Sequence, residues 1–376
     1  MKIAIIHYNE IALKGKNRPE FENILIENIL EKLEGLIKRI YKQESRILIE
    51  YCENEEKIIE NLKKIFGISY FGIGKKLKRD KNGIIEYLNE NIELIKDKTI
   101  KVETKRSDKK YPENSMEINK EIGEHLYEKL KLKIDLKNPQ IKINIEVLEN
   151  CFLVFLRRES GLEGLPIGSS GRLLCLLSGG IDSVVASYLM MGRGCNIDFL
   201  HIYSLSKERV AESKIIKLIK KLGEYGNRGR LYLIPYSVFY KYVFETNPKY
   251  ELVLFRRFLY RIGEKICEKE DILGMVSGDS IGQVASQTIE NIYSATYGIK
   301  IPIYRPLVGF NKLKTIKIAK EIGTYELSNE EYRDCCSLSS IKHPATKAKK
   351  ERIDGFANEV NLDRIINEAI EKMEII

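Results

Sequence analysis

Two short stretches of the 376-residue chain carry side chains whose types and spacing suit chemistry. In the first, the apolar run RLLCLL (172–177) meets Ser178-Gly179-Gly180-Ile181-Asp182-Ser183. A strand that ends in two glycines can turn tightly into a helix whose first N–H groups face an anion. Leu177 closes the strand, and the hydroxyls of Ser178 and Ser183 add donors, so the stretch predicts a phosphate cradle. Asp182 would repel a bare phosphate; it implies a magnesium ion on the phosphates or a role in orienting the loop. No GxxxxGK[ST] occurs, which excludes a kinase-type loop. The second stretch is Cys335-Cys336 in YRDCCSLSSIKHP, beside Arg333, Lys342 and His343. Positive charge favours the thiolate that a persulfide carrier or a disulfide-forming nucleophile requires. A bond between adjacent cysteines is strained, so the pair is not expected to rest as a disulfide.

The elements that must position these residues follow from periodicity. Strands are expected at 3–8 and 46–51, with helices at about 19–39 and 56–66, making a small α+β unit. Residues 68–82, with Gly72 and Gly74, suit a linker or a leading strand. A second small unit is expected from a helix at 83–95, a strand at 99–104, a helix at 115–133 and strands near 141–147 and 151–157. GLEGLPIGSSG (161–171) then marks a domain boundary. Beyond it, strands at 172–177, 197–202, 231–235 and 272–277 alternate with helices at 183–192, 207–223, 250–269 and 311–322. That alternation predicts an open α/β domain with ligands at the carboxyl ends of its strands.

Composition sets outer bounds. An apolar fraction of 43% is ample for folding, and no run approaches the length of a membrane span. Seven cysteines in this length do not form a disulfide scaffold; Cys52, Cys151, Cys175 and Cys267 read as buried thiols, and a reducing cytoplasm is expected. The net charge of +9 is compatible with a polyanionic partner but is spread over a large surface. Its densest knots are Lys105, Arg106, Lys109 and Lys110, and the doublet Arg256-Arg257. With no tryptophan, any base stacking would fall to tyrosine or phenylalanine.

The SGGIDS run resembles the pyrophosphatase-type loop (PP-loop) of ATP enzymes that transfer AMP to an oxygen and release pyrophosphate. The resemblance extends along the chain. EIALKGKNR (10–18), GLPIGSSGRLLCLLSGGIDS (164–183), LFRRFLYRIGEKI (254–266), SGDSIGQVASQTIENI (277–292), RPLVGFNK (305–312) and EIGTYELS (321–328) stand in the order of the tRNA 4-thiouridine synthetases, or tRNA sulfurtransferases. It implies a multidomain α+β and α/β chain. Its parts would be an N-terminal ferredoxin-like domain (1–75), a THUMP RNA-binding domain (76–165) and a Rossmann-like PP-loop catalytic domain of the adenine nucleotide alpha hydrolase type (170–376). The implied activity is adenylation of uridine 8 in tRNA, with AMP then displaced by persulfide sulfur. ATP with magnesium at Asp182 would be held by Leu177, Ser178, Gly179, Gly180, Asp182 and Ser183, and closed over by Gly278, Asp279, Gln283 and Ser286. Lys312 would stabilise phosphate charge. Cys336, with Cys335 as neighbour, would carry sulfur. RNA would meet Lys14, Lys16, Arg18, Lys105, Arg106, Lys109 and Lys110, and Arg256 and Arg257 would contact phosphate of the RNA or of ATP. Expected partners are tRNA, a cysteine desulfurase or other persulfide donor, and as an option a second copy in a homodimer, without a membrane.

The chain departs from its family in places. About 25 residues follow Lys350, enough for one helix and not for the rhodanese domain some relatives carry. An outside sulfur donor or a persulfide formed directly on Cys336 is then expected, and a role in making the thiamine thiazole is weakened. Cys267-Glu268-Lys269-Glu270 lacks the CxxC of cluster-bearing relatives, so no iron–sulfur cluster is expected. SGDS replaces TGES, Val184-Val185 replaces proline-valine, and HIYSLSKERV (201–210) lacks a usual proline. Two other readings stay open: another PP-loop adenylating ligase, and an RNA-binding protein with a vestigial ATP loop.

Overall fold

β-Branched residues crowd the first strand, β1 (Lys2–His7), and both its faces are buried. The computed structural model describes residues 2–204, 210–243, 246–332 and 344–376. They divide into two compact units, one ending at Pro166 and one beginning at Ile167.

In the first unit β1 is joined by β2 (Arg39–Gln43), β3 (Arg46–Tyr51), β4 (Tyr70–Leu77), β5 (Thr99–Arg106), β6 (Lys133–Ile134), β7 (Ile141–Val147) and β8 (Phe152–Ser160). All eight belong to one sheet, ordered β2-β3-β1-β4-β8-β7-β5-β6. The two small units expected from the sequence therefore share a continuous sheet, joined where β4 pairs antiparallel with β8. The stretch read as a linker or leading strand is central β4. Its glycines serve close approach: a Cβ on Gly74 would lie 1.9 Å from the Val154 carbonyl oxygen.

The helix expected over 19–39 runs only Arg18–Lys32; Gly35, at φ 72°, turns the chain, and β2 takes the remainder. Helix Ser115–Glu128 opens on a capping box between Asn114 and Glu117. Leu25, Ile29 and Ile58 fill one core with Ala4, Ile6 and Ile49, while Ile118, Ile122 and Leu126 fill another with Ile100, Ile143 and Ile145. Cys52 is exposed, contrary to expectation, because β3 ends at Tyr51 and the chain turns through Asn54 at φ 61°.

The second unit is a six-stranded sheet ordered β13-β12-β9-β10-β11-β14. Its strands are β9 (Arg172–Leu176), β10 (Asn196–Tyr203), β11 (Leu231–Pro235), β12 (Met275–Val276), β13 (Ile303–Tyr304) and β14 (Glu374–Ile375). Every pairing is parallel except β11 with β14. The first strand, β9, lies between β10 and β12, so the strand order reverses there and a crevice opens at its carboxyl end. Helix Pro248–Glu270 begins with an Asn247 cap and proline, ends at Asp271 in the left-handed region, and packs Phe255 and Phe258 on Phe239. Within the helix expected over 207–223, the chain turns at 212–213 and helix Lys214–Gly223 begins under a Ser213 cap. The tail holds more than one helix: Lys350–Glu359 and Leu362–Glu371 precede β14.

Cys151, Cys175 and Cys267 are buried as expected, and burial pushes Cys175 and Cys267 up to about 12, which keeps both as inert thiols. Among the described residues no helix is long and apolar enough to cross a membrane. Gly74→Ala should overpack the β4–β8 seam and lower the stability of the first unit by about 1–3 kcal/mol, read from a reduced denaturation midpoint. An unchanged midpoint would show that the seam has slack.

Candidate active site

Leu177 extends β9 by donating its N–H to the Leu200 carbonyl at 2.9 Å, and the chain then turns through Gly179 at φ 82°. Helix Ile181–Met191 starts at Gly180 with no side-chain cap. Its first N–H groups are those an anion can take up, reinforced by the positive end of the helix dipole. The Ser178 and Ser183 hydroxyls stand 3.4 Å apart across the turn. Gly278 closes the other side: a Cβ there would come within 2.7 Å of the Asp182 carbonyl carbon and the Ser183 nitrogen.

Two residues from separate segments converge on one carboxylate. Lys312 Nζ lies 2.9 Å from both oxygens of Asp182, and Gln283 Nε2 donates to Oδ2 at 2.9 Å. Lys312 is the first residue of helix Lys312–Glu321, whose cap is Asn311. Ser286 sits buried in the short turn Ala285–Gln287 just after Gln283.

Asp279 is spoken for inside the fold. Only 3% exposed, it accepts from Arg256 Nη2 at 2.6 Å and Tyr260 at 2.7 Å, with Arg305 Nε at 3.4 Å. Burial works against its ionisation, but the Arg256 charge and hydrogen bonds from Ser277, Arg256 and Tyr260 outweigh it and hold it at about 2. The doublet expected to meet RNA turns inward. Arg256 is engaged with Asp279, while Arg257, 5% exposed, pairs with Asp354 and donates to the Ser294 carbonyl. Both sit on the packed face of helix Pro248–Glu270, where Asp279 holds Arg256, and Asp354 and the Ser294 carbonyl hold Arg257.

His201, which sequence reasoning passed over, joins the site from the end of β10. It is 1% exposed; Nδ1 lies 2.8 Å from the Leu177 carbonyl and Nε2 2.7 Å from the Tyr332 hydroxyl. Burial, resisted by the Leu177 carbonyl and aided by Lys214, pushes it down to about 4. Its one sequence signal was a histidine among apolar strand residues. Cys335 and Cys336, with Arg333, Lys342 and His343, lie outside the described residues, as do residues 205–209 of the altered 201–210 loop.

In the first unit Lys16, Lys105, Lys109 and Lys110 are exposed. Lys14 lies over Phe21, and Arg18 donates to Glu22 at 2.7 Å and Tyr8 at 2.8 Å. Arg106 braces its own loop through the carbonyls of Glu113 and Lys109. Tyr70, also passed over, stacks on His7 at 4.2 Å with Arg158 3.8 Å from its ring centre and Lys105 at 5.8 Å.

The family model described as "Thiamine biosynthesis protein (ThiI)" matches residues 168–362, after "ThiI ferredoxin-like domain" at 3–72 and "THUMP domain" at 84–157. A "Probable tRNA sulfurtransferase" of Thermoanaerobacter pseudethanolicus is 40% identical over 99% of this chain and 95% of its own. The chain belongs to the ThiI family of tRNA sulfurtransferases. Another such relative, from Geobacillus kaustophilus, is 37% identical over 98% of this chain and 94% of its own. A crystal structure of a 4-thiouridine synthetase–RNA complex with bound ATP matches with a TM-score of 0.89 at 34% identity, covering 100% of this chain and 99% of that one. The ThiI chain thus has the ferredoxin-like, THUMP and PP-loop architecture expected of it.

Two outcomes test this geometry. Gly278→Ala should wedge the start of helix Ile181–Met191 and cut nucleotide-dependent pyrophosphate release by about 10²-fold with the fold kept; wild-type release would mean that the turn does not set the loop. The Asp279 pair should contribute about 2 kcal/mol. Because its pKa lies below the ordinary carboxyl value of about 3.9, that contribution is complete above about pH 5 and is lost as pH falls towards 2. The stability gap between wild type and Asp279→Asn should therefore narrow over that window, and a constant gap would contradict the assignment.

Proposed function

We propose that this ThiI-family chain, an ATP-dependent tRNA sulfurtransferase that forms 4-thiouridine, adenylates uridine 8 of tRNA at O4 and exchanges that oxygen for persulfide sulfur. The observation that carries the reading is the uncapped helix start at Gly180, flanked by Asp182 with Lys312 and Gln283 bound to it. The N–H groups of the loop and the hydroxyls of Ser178 and Ser183 hold the phosphates of ATP. Lys312 balances charge that grows on the leaving pyrophosphate as O4 attacks the α-phosphorus.

Asp182 suits magnesium, since this ion commonly takes one or two protein carboxylates and fills its other positions with water and phosphate oxygens. When bound, magnesium supplies charge neutralisation on the phosphates. Among the described residues no group of three or more His, Cys, Asp or Glu is arranged to hold a metal without a substrate. Lys312 and Gln283 keep the Asp182 carboxylate oriented toward the loop.

AMP is a far better leaving group than hydroxide. The terminal sulfur of a persulfide on Cys336 attacks C4, the bond to the adenylated oxygen breaks and AMP departs. A thiol then takes the remaining sulfur into a disulfide and leaves C4=S on the base. The charge around Cys336 in the sequence favours the thiolate, whereas buried Cys175 and Cys267 are unsuited to the role. The persulfide comes from a cysteine desulfurase or another donor in a reducing cytoplasm. Exposed Lys16, Lys105, Lys109 and Lys110 supply charge for the tRNA backbone.

Single-turnover assays with tRNA separate the two steps. Asp182→Ala should abolish tRNA-dependent pyrophosphate release, whereas Cys336→Ala should keep that release and lose 4-thiouridine. Full thiolation by both Cys336→Ala and Cys335→Ala would overturn the sulfur assignment. Release of pyrophosphate without tRNA, but with another acceptor, would favour a different adenylating ligase.

A further inference from the structure

The Asp279 carboxylate is already satisfied before Arg305 reaches it. Oδ1 accepts from Arg256 Nη2 at 2.6 Å and Oδ2 from Tyr260 at 2.7 Å, whereas Arg305 Nε stands 3.4 Å from Oδ2. A charge-assisted N–H···O bond is ordinarily about 2.7–2.9 Å long, so the Arg305 contact is the slack one of the three. Its grip is also one-pronged. Nη2 is buried without a partner, and Nη1 makes no hydrogen bond among the described residues. The side chain is 21% exposed, and the unburied Nη1 is its open end.

Charge points the same way. Arg256 and Arg305 both face Asp279, and among the described residues neither has a second acidic partner. Two guanidiniums against one carboxylate leave one positive charge over. An unpaired buried donor and a half-buried surplus cation both cost stability in the protein alone. An arginine needed only as a brace would close its planar fork on the carboxylate. The position of Arg305 shows what can use the surplus. It directly follows β13, where the Tyr304 carbonyl accepts the Ser277 N–H at 3.0 Å. It therefore stands beside the turn whose Gly278 lies against the Asp182 and Ser183 backbone. β13, β12 and β9 are consecutive parallel strands, which puts Arg305 two strand intervals, about 10 Å, from the carboxyl end of β9.

We propose that Arg305 is a phosphate-binding residue of this crevice, holding a phosphate oxyanion of one of the reactants on its Nη1–Nη2 edge while Nε stays beside Asp279. The oxyanion pairs the buried Nη2 and neutralises the surplus charge. A nucleotide phosphate and a backbone phosphate of the RNA share this chemistry, and the affinities below tell them apart. The inference deepens the function proposed above and rests on it, since that reading is what brings both kinds of phosphate to the carboxyl ends of these strands.

Arg305→Gln removes the charge and leaves Asp279 with Arg256 and Tyr260. Its ligand-free denaturation midpoint should equal or exceed that of wild type, because a surplus cation has gone. A lowered midpoint would make Arg305 a brace and overturn the proposal. Affinity for ATP is then measured without tRNA, and affinity for tRNA without ATP over a range of salt. A loss of about tenfold or more in the ATP arm identifies a nucleotide phosphate as the occupant. The same loss in the tRNA arm, with a salt dependence shallower by about one unit of slope, identifies an RNA phosphate. Wild-type affinity in both arms would overturn the proposal. Wild-type protein that releases no pyrophosphate with tRNA would instead sink the adenylation reading, and the two affinities would still decide the role of Arg305.

Discussion

The helix that begins at Gly180 keeps its first N–H groups without a side-chain cap, and the remainder of the catalytic unit is arranged around that open end. An uncapped start forgoes about 1 kcal/mol of local stabilisation. It is held from outside instead. The backbone of Gly278 lies against the first turn, Gln283 and Lys312 grip Asp182, and the Leu177 carbonyl is tied to His201. The groups left open can then bind an anion without reorganising at the moment of reaction, which is where preorganised dipoles are most effective.

The turn that supplies Gly278 and Gln283 needs its own anchor, and Asp279 provides it. One buried carboxylate draws Arg256 and Tyr260 from the long helix and Arg305 from the end of β13. Removing one partner of such a buried pair leaves a charge uncompensated, which is more costly than the pair's net contribution. Ser280 adds a bond to the Phe310 carbonyl, two residues before Lys312. The residues proposed to bind the phosphates and the one proposed to balance their charge are therefore set by a common scaffold.

Much of this was legible in the sequence, for identifiable reasons. The strand–turn–helix stretch is contiguous, so the tight turn at Gly179 and the helix start at Gly180 could be read from residue types alone. Gln283 and Lys312 are distant in sequence and came only with the family resemblance; the structure brings both to Asp182. The inward pairing of Arg256 and Arg257 was not legible, because an arginine doublet on a helix looks solvated unless its partners, Asp279 and Asp354, are known. Strand β4 looked like a linker because its glycines break the apolar pattern, yet they permit the closest backbone approach in the sheet seam. His201 was passed over since a lone histidine in an apolar strand reads as core, and only its two hydrogen-bond partners mark it out.

The account's central claim is that the uridine oxygen leaves as part of AMP. Carrying ¹⁸O at O4 of uridine 8 in tRNA, and weighing the AMP released as 4-thiouridine forms, tests it with the unaltered protein. The account predicts that the label appears in AMP in step with thiolation. Unlabelled AMP, with the heavy oxygen recovered in water, would contradict it.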